Sequence, residues 1–246
     1  MRVISCNAAS YGPYPSRIWD HLPSLGVKHV ELPLPDDPES VKSKLEQADM
    51  KVSSLMLPRE IVEWDAQKAE QAFKTVARLG AKIAFLSLHE KSDQIIKKMR
   101  ELGEIAGANG VVIAIETHPE LAHNAEIALQ TLEAINSPHV RYNFDTANIY
   151  YYNKSADACE ELTKAMPAVV SLHLKDTEGN YRDFNFPPLG DGIVDFPRIF
   201  TILDEAGFDG PCAMELEGIE GESPTESQVL ERVEASVQYL ERIGAL

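Results

Sequence analysis

The chain has 246 residues, 44% of them apolar, enough to bury one large core without a disulfide or a structural metal. Its formal charge is −16; such a surface repels phosphodiester backbones and anionic lipid headgroups, so neither nucleic acid nor a membrane is an expected partner. Cys6, Cys159 and Cys212 lie far apart and form no CxxC pair, MRVISCNAAS lacks the basic-then-apolar pattern of a secretory signal, and no apolar run reaches the length of a membrane span, which together predict a reduced, cytoplasmic protein.

In chain order, short apolar strands alternate with longer amphipathic helices. Strands are expected at 2–6, 28–32, 51–57, 82–88, 111–116, 140–145, 168–174 and 211–216. After the third strand, DAQKAEQAFKTVARLG carries apolar residues at helical spacing and stops at Gly80. After the fourth, KSDQIIKKMRELGEIAGANG does the same and stops at Asn109-Gly110. DFPRIFTILDEAG opens with Asp195 as N-cap, has Pro197 in its first turn and closes on Gly207. The segment before it, GNYRDFNFPPLGDGIVD, is an unusually long loop, of the kind that carries function. Eight strands alternating with helices predict one (β/α)₈ barrel filling residues 1–246 as a single domain. An open, doubly wound sheet is the alternative, but the turn after the first strand, NAASYGPYPS, has no GxGxxG.

The chemistry lies at the strand ends. Glu116 closes VVIAIE, Asp145 closes VRYNFD, His173 sits in VVSLHL and Glu215 in PCAME, so strands five to eight each deliver one ionisable group to the barrel's C-terminal mouth. Three carboxylates crowded there would repel and raise one another's pKa, and a divalent cation relieves both costs. Three oxygens and one imidazole suit Mn²⁺ first, then Mg²⁺, Co²⁺ or Fe²⁺, with Zn²⁺ admissible. Side chains two apart share a strand face, which adds His118, Lys175 and Glu217 as candidate substrate-binding groups. His89 ends the fourth strand and Asn148 follows Asp145 by three residues. Each has a structural alternative: Lys175 as a rim salt bridge, His118 as a turn anchor, Asn148 as a helix cap. Glu31, ending the second strand, fits a role in ordering the site and, equally, a structural role at the rim. Tyr150-Tyr151-Tyr152 fits the packing of a helix start better than the wall of a sugar site. No compact basic cluster marks a phosphate site; Lys175 and Arg182 are the nearest cations.

The segments IAIETHP, YNFDTANIYYYN, SLHLKD, PLGDGIVDF and GPCAMELEG resemble, in order, those of the xylose isomerase-like barrel superfamily, in its sugar phosphate isomerase/epimerase branch. The resemblance implies a metal held by Glu116, Asp145, His173 and Glu215, with Glu116 and Glu215 also moving protons. It implies a sugar or polyol isomerase or epimerase that removes a proton next to a carbonyl through a metal-stabilised enediolate, and, as the alternative, an inosose dehydratase-like lyase that shares this first step. One departure stands out: several epimerases have a histidine three residues after the strand-six aspartate, where this chain has Asn148, which can bind a hydroxyl but cannot titrate. A non-catalytic sugar-binding barrel and an abasic-site endonuclease rank lower. The charge argues against the endonuclease, and its relatives use three zinc ions with more histidine ligands. A homo-oligomer is compatible with all of these readings.

Overall fold

A computed structural model describes residues 2–246. Eight parallel strands close into a barrel in sequence order: β1 (Val3–Asn7), β2 (His29–Pro33), β3 (Lys51–Met56), β4 (Ile83–Leu86), β5 (Val112–Glu116), β6 (Val140–Asp145), β7 (Val169–Leu174) and β8 (Pro211–Met214). β1 closes the ring by pairing with β8 from Val3↔Pro211 to Cys6↔Met214. Every expected strand is present, and the ends differ by a few residues. β4 and β8 each stop two residues before their expected ends, at Leu86 and Met214, so that Ser87 and Leu88, and Glu215 and Leu216, lie just past the ladder.

The helices form where the apolar spacing says they should. Helix Ala66–Arg78 buries Ala69, Ala72, Phe73 and Val76, the i, i+3, i+4, i+7 stripe of one helix face. Its buried Phe73 and Val76 contribute on the order of 1.5–3 kcal/mol each. Asp65 caps its start by accepting the Lys68 N–H at 2.8 Å. Helix Asp93–Ala108 is capped by Ser92 and packs so closely on β6 that a Cβ at Gly103 would collide with Val140. Helix Phe196–Glu205 is capped by Asp195, whose Oδ1 accepts the Arg198 N–H at 3.0 Å, with Pro197 in its first turn. Among the described residues no helix is long and apolar enough to cross a membrane, and the three cysteines are free.

Two features of the interior position the site. Alternate residues of β1, β3, β6 and β7 fill the barrel with small polar side chains, the buried Ser5, Ser54, Asn143 and Ser171, and Ser171 Oγ donates to Asn143 Oδ1 at 2.6 Å. Two residues further along β6 and β7 come Asp145 and His173, which face each other in register. The long loop is the second feature. Its two-residue strand Asn185–Phe186 pairs antiparallel with Gly218–Ile219 beside the mouth. Its far end is tied down by Asp176: Oδ2 accepts the N–H groups of Gly190 (2.8 Å) and Gly192 (3.0 Å), and Oδ1 accepts those of Thr177 (2.9 Å) and Val194 (3.1 Å). Position 192 has to be glycine for this approach, because a Cβ there would strike the Asp176 carboxylate.

Candidate metal centre

Glu116, Asp145, His173 and Glu215 each offer one ligand atom, and these atoms all lie within 4.8 Å of one another. His173 Nδ1 is 2.8 Å from Glu116 Oε1, 3.2 Å from Glu215 Oε2 and 3.8 Å from Asp145 Oδ2. All four residues are buried. The cluster fits a divalent cation on its own chemistry: three carboxylates and an imidazole nitrogen converge where water cannot screen them. Asp145 makes the point most clearly. Its Oδ1 accepts the N–H groups of Ala147 (2.9 Å) and Asn148 (2.8 Å), whereas its Oδ2 is buried with no hydrogen-bond donor. Lys175 Nζ lies 2.9 Å from that oxygen, close enough for an ion pair but outside the angular range of a hydrogen bond.

The surrounding groups hold the ligands in their charged forms. Burial would raise the Glu116 carboxyl, but His118 and His173 beside it keep it well below the usual range. Burial opposes the charge on Asp145 too, and Lys175 and His173 outweigh it. The His173 imidazolium, which burial alone would depress, is held well above its ordinary value by Glu215, Glu31 and Glu116. Lys175 is likewise raised against burial by Asp145, Glu215 and Glu217, which its Nζ meets at 2.9, 2.6 and 2.7 Å. At Glu217 burial wins, and its carboxyl is raised despite Lys175.

Behind the ligands stands Glu31. It is buried, its Oε1 lies 2.9 Å from His173 Nε2 and accepts Asn7 Nδ2 at 2.9 Å, and its Oε2 accepts the Ser54 hydroxyl. A cation in the cluster would displace the Nδ1 proton of the imidazolium, leaving the Nε2–H facing Glu31 and the Nδ1 lone pair facing the ion. Asn7 extends the network by donating also to Glu215 Oε1 at 3.1 Å. Glu116 Oε2 accepts the Ser87 hydroxyl and lies 3.2 Å from His118 Nδ1.

A cleft of about 410 Å³ opens over the cluster, large enough for a small sugar. Glu116, His118, Lys175, Glu215 and Glu217 line it, with Asp145 and His173 beneath. The other candidates lie elsewhere. His89 is exposed on the rim, its ring edge-on to His118 at 4.8 Å. Asn148 is buried and engaged: its backbone N–H donates to Asp145 Oδ1 at 2.8 Å, and its Nδ2 donates to the Thr117 carbonyl at 3.2 Å. Arg182 is exposed beside the Tyr181 ring and does not line the cleft. The three tyrosines sit in the short helix Asn148–Tyr152, and only Tyr152 approaches the site, its ring 5.3 Å from that of His118. Sequence reasoning passed over Asn7, Ser87 and Arg59, which all line the cleft. The first two were within reach of the same strand-end rule, applied to β1 and β4 as it was to β5–β8.

A closed parallel barrel with this cluster at its C-terminal mouth defines a class, and the sequence comparison agrees. The chain belongs to the xylose isomerase-like TIM barrel family, whose sequence model matches residues 19–242. Among named relatives, the L-ribulose-5-phosphate 3-epimerase UlaE of Escherichia coli is 30% identical over 128 residues, 51% of this chain and 43% of that protein, so the match spans less than half of the relative's length. Two solved structures share the fold. The xylose isomerase domain protein of Alicyclobacillus acidocaldarius superposes with a TM-score of 0.81 at 18% identity, covering 99% of this chain and 98% of that one. The D-psicose 3-epimerase of Clostridium cellulolyticum H10 gives 0.76 at 13% identity, covering 99% of each.

Proposed function

We propose that this protein is a divalent-metal-dependent isomerase or epimerase of a small sugar or polyol that works by moving a proton next to a carbonyl. The observation carrying this reading is the double position of Glu116 and Glu215, which belong to the candidate metal cluster and also face the cleft. The similarity to a sugar phosphate epimerase supports it.

A divalent ion held by Glu116, Asp145, His173 and Glu215, with Mn²⁺ favoured by the donor set, would polarise the substrate carbonyl and offset the negative charge developing on its oxygen. The chain's own residues do the rest. One of Glu116 and Glu215 takes the proton from the carbon beside the carbonyl, and the other returns one. Return to the neighbouring carbon isomerises; return to the opposite face of the same carbon epimerises. Lys175 and Asn7 fix the Glu215 carboxylate, and Ser87 and His118 fix that of Glu116. His118 and Glu217 present polar atoms for the sugar hydroxyls. Loss of a β-hydroxyl from the same enediolate would make the protein a lyase. Asn148 supports that outcome, because its Nδ2 is taken by the Thr117 carbonyl and no titratable group stands in its place.

The test is turnover in D₂O of a panel of ketoses, inososes and 3-keto sugars with Mn²⁺, Mg²⁺ or Co²⁺. Deuterium should enter at the carbon beside the carbonyl, and Glu215→Gln should abolish its entry. Turnover without any deuterium would overturn the mechanism, and a dehydrated product would assign the lyase.

A further inference from the structure

Of the ten arginines, Arg59 alone makes no hydrogen bond, ion pair or aromatic-ring contact among the described residues; each of the others is engaged, by carboxylates, backbone carbonyls or a tyrosine. In a chain of net charge −16, a guanidinium without a carboxylate partner is conspicuous. This one lines the candidate site.

Its place in the barrel gives it a direction. The four candidate metal ligands lie on β5, β6 and β7 and just beyond β8. Arg59 opens the turn Arg59–Glu63, just beyond β3, and in a closed ring of eight β3 stands opposite β7, which carries His173 and leads into Lys175. Met56, at the end of β3, is 41% exposed and lines the same cleft together with Pro33 and Phe85, an apolar surface suited to a carbon skeleton. The other cation lining the cleft cannot recognise an added anion, because Lys175 already faces Asp145, Glu215 and Glu217.

We infer that Arg59 is a specificity-determining residue that binds a terminal oxyanion, a phosphate ester or a carboxylate, on the end of the substrate remote from the carbonyl. The guanidinium fork matches either group with two parallel N–H···O bonds. The inference rests on the proposed function and narrows its substrate class from neutral sugars to anionic ones.

Calorimetric titration of the Mn²⁺-loaded protein with ribitol, ribitol 5-phosphate, ribonate and inorganic phosphate tests it without requiring turnover. At least one anionic polyol should bind roughly ten- to a hundredfold more tightly than ribitol, the range of one charge-assisted pair, and the better of phosphate and carboxylate identifies the group. Arg59→Gln should erase that preference and leave ribitol and Mn²⁺ binding unchanged; Arg182→Gln, off the cleft, should retain it. Because Arg59 is exposed, its replacement should leave the melting temperature unchanged. Equal affinity for charged and neutral polyols, absence of binding by any of them, or a preference that survives Arg59→Gln would overturn the inference. An Arg59-dependent preference without deuterium exchange on any sugar would leave it standing while removing the isomerase reading. Exchange on neutral ketoses that is indifferent to Arg59 would do the reverse.

Discussion

Glu31 shows how a residue that need not touch either metal or substrate can govern both. Three donors meet one carboxylate: His173 Nε2, Asn7 Nδ2 and the Ser54 hydroxyl. A glutamine there has one acceptor oxygen for those three donors and an NH₂ that faces at least one of them. Glu31→Gln should therefore weaken Mn²⁺ binding ten- to a hundredfold, roughly the effect of losing the partner of a metal-ligating histidine, while the circular dichroism of the folded barrel stays intact. Calorimetric Mn²⁺ affinity equal to that of the parent chain would remove Glu31 from the site's machinery. Lys175 illustrates a different economy. Its ammonium is shared by three carboxylates, so a cation sits among the acids before any metal is considered. The strand-face rule brought it into view, but not its three partners, which come from β6 and from the segment after β8.

Among the elements, the long loop after β7 owes its path to one side chain. The Asp176 carboxylate accepts four backbone N–H groups, three of them from Gly190, Gly192 and Val194. An asparagine would replace one acceptor oxygen by a donor, leaving two of those N–H groups without their partner, at up to about 1–3 kcal/mol for one that is buried. Asp176→Asn should release the loop selectively: hydrogen exchange should quicken at Gly190, Gly192 and Val194 before it quickens in β5–β7. Uniform acceleration across the barrel, or none, would show that the loop is held by something else. The GDGIVDF segment stood out in the sequence as part of a family resemblance; its physical reason is this clamp, with glycine where a Cβ would hit the carboxylate.

For the whole molecule, burial decides the thiols. Cys6 and Cys212 are fully buried, and burial pushes both thiols up to about 12, and that of Cys159 to about 11. Since the thiolate is the reactive form, raising the pKa lowers the thiolate fraction at any pH beneath it, by about tenfold per unit, and reactivity falls with it. At pH 8 Ellman's reagent should modify the native chain slowly, beginning with the half-buried Cys159, and all three thiols should react at once in guanidinium chloride. Rapid modification of Cys6 or Cys212 in the native state would mean that the barrel wall opens far more readily than its packing implies.

The eight strands, their order and the four candidate ligands are legible in the sequence, because each depends on a local signal: apolar runs of strand length, caps and glycine stops, and a polar residue where the run ends. Side chains two apart share a face whatever the rest of the fold does, so His118, Lys175 and Glu217 could be placed beside their neighbours. The tertiary structure alone decided what each polar group meets. Asn148 is taken up by the Thr117 carbonyl just past β5 and Arg182 lies beside a tyrosine off the cleft, while Arg59 reaches the cleft from the turn after a strand carrying none of the ligands. The line of the sequence could not separate these cases. Strand alternation repeats every two residues, whereas the course of a loop is set by contacts with residues far away in the chain, which exist only once the barrel has closed.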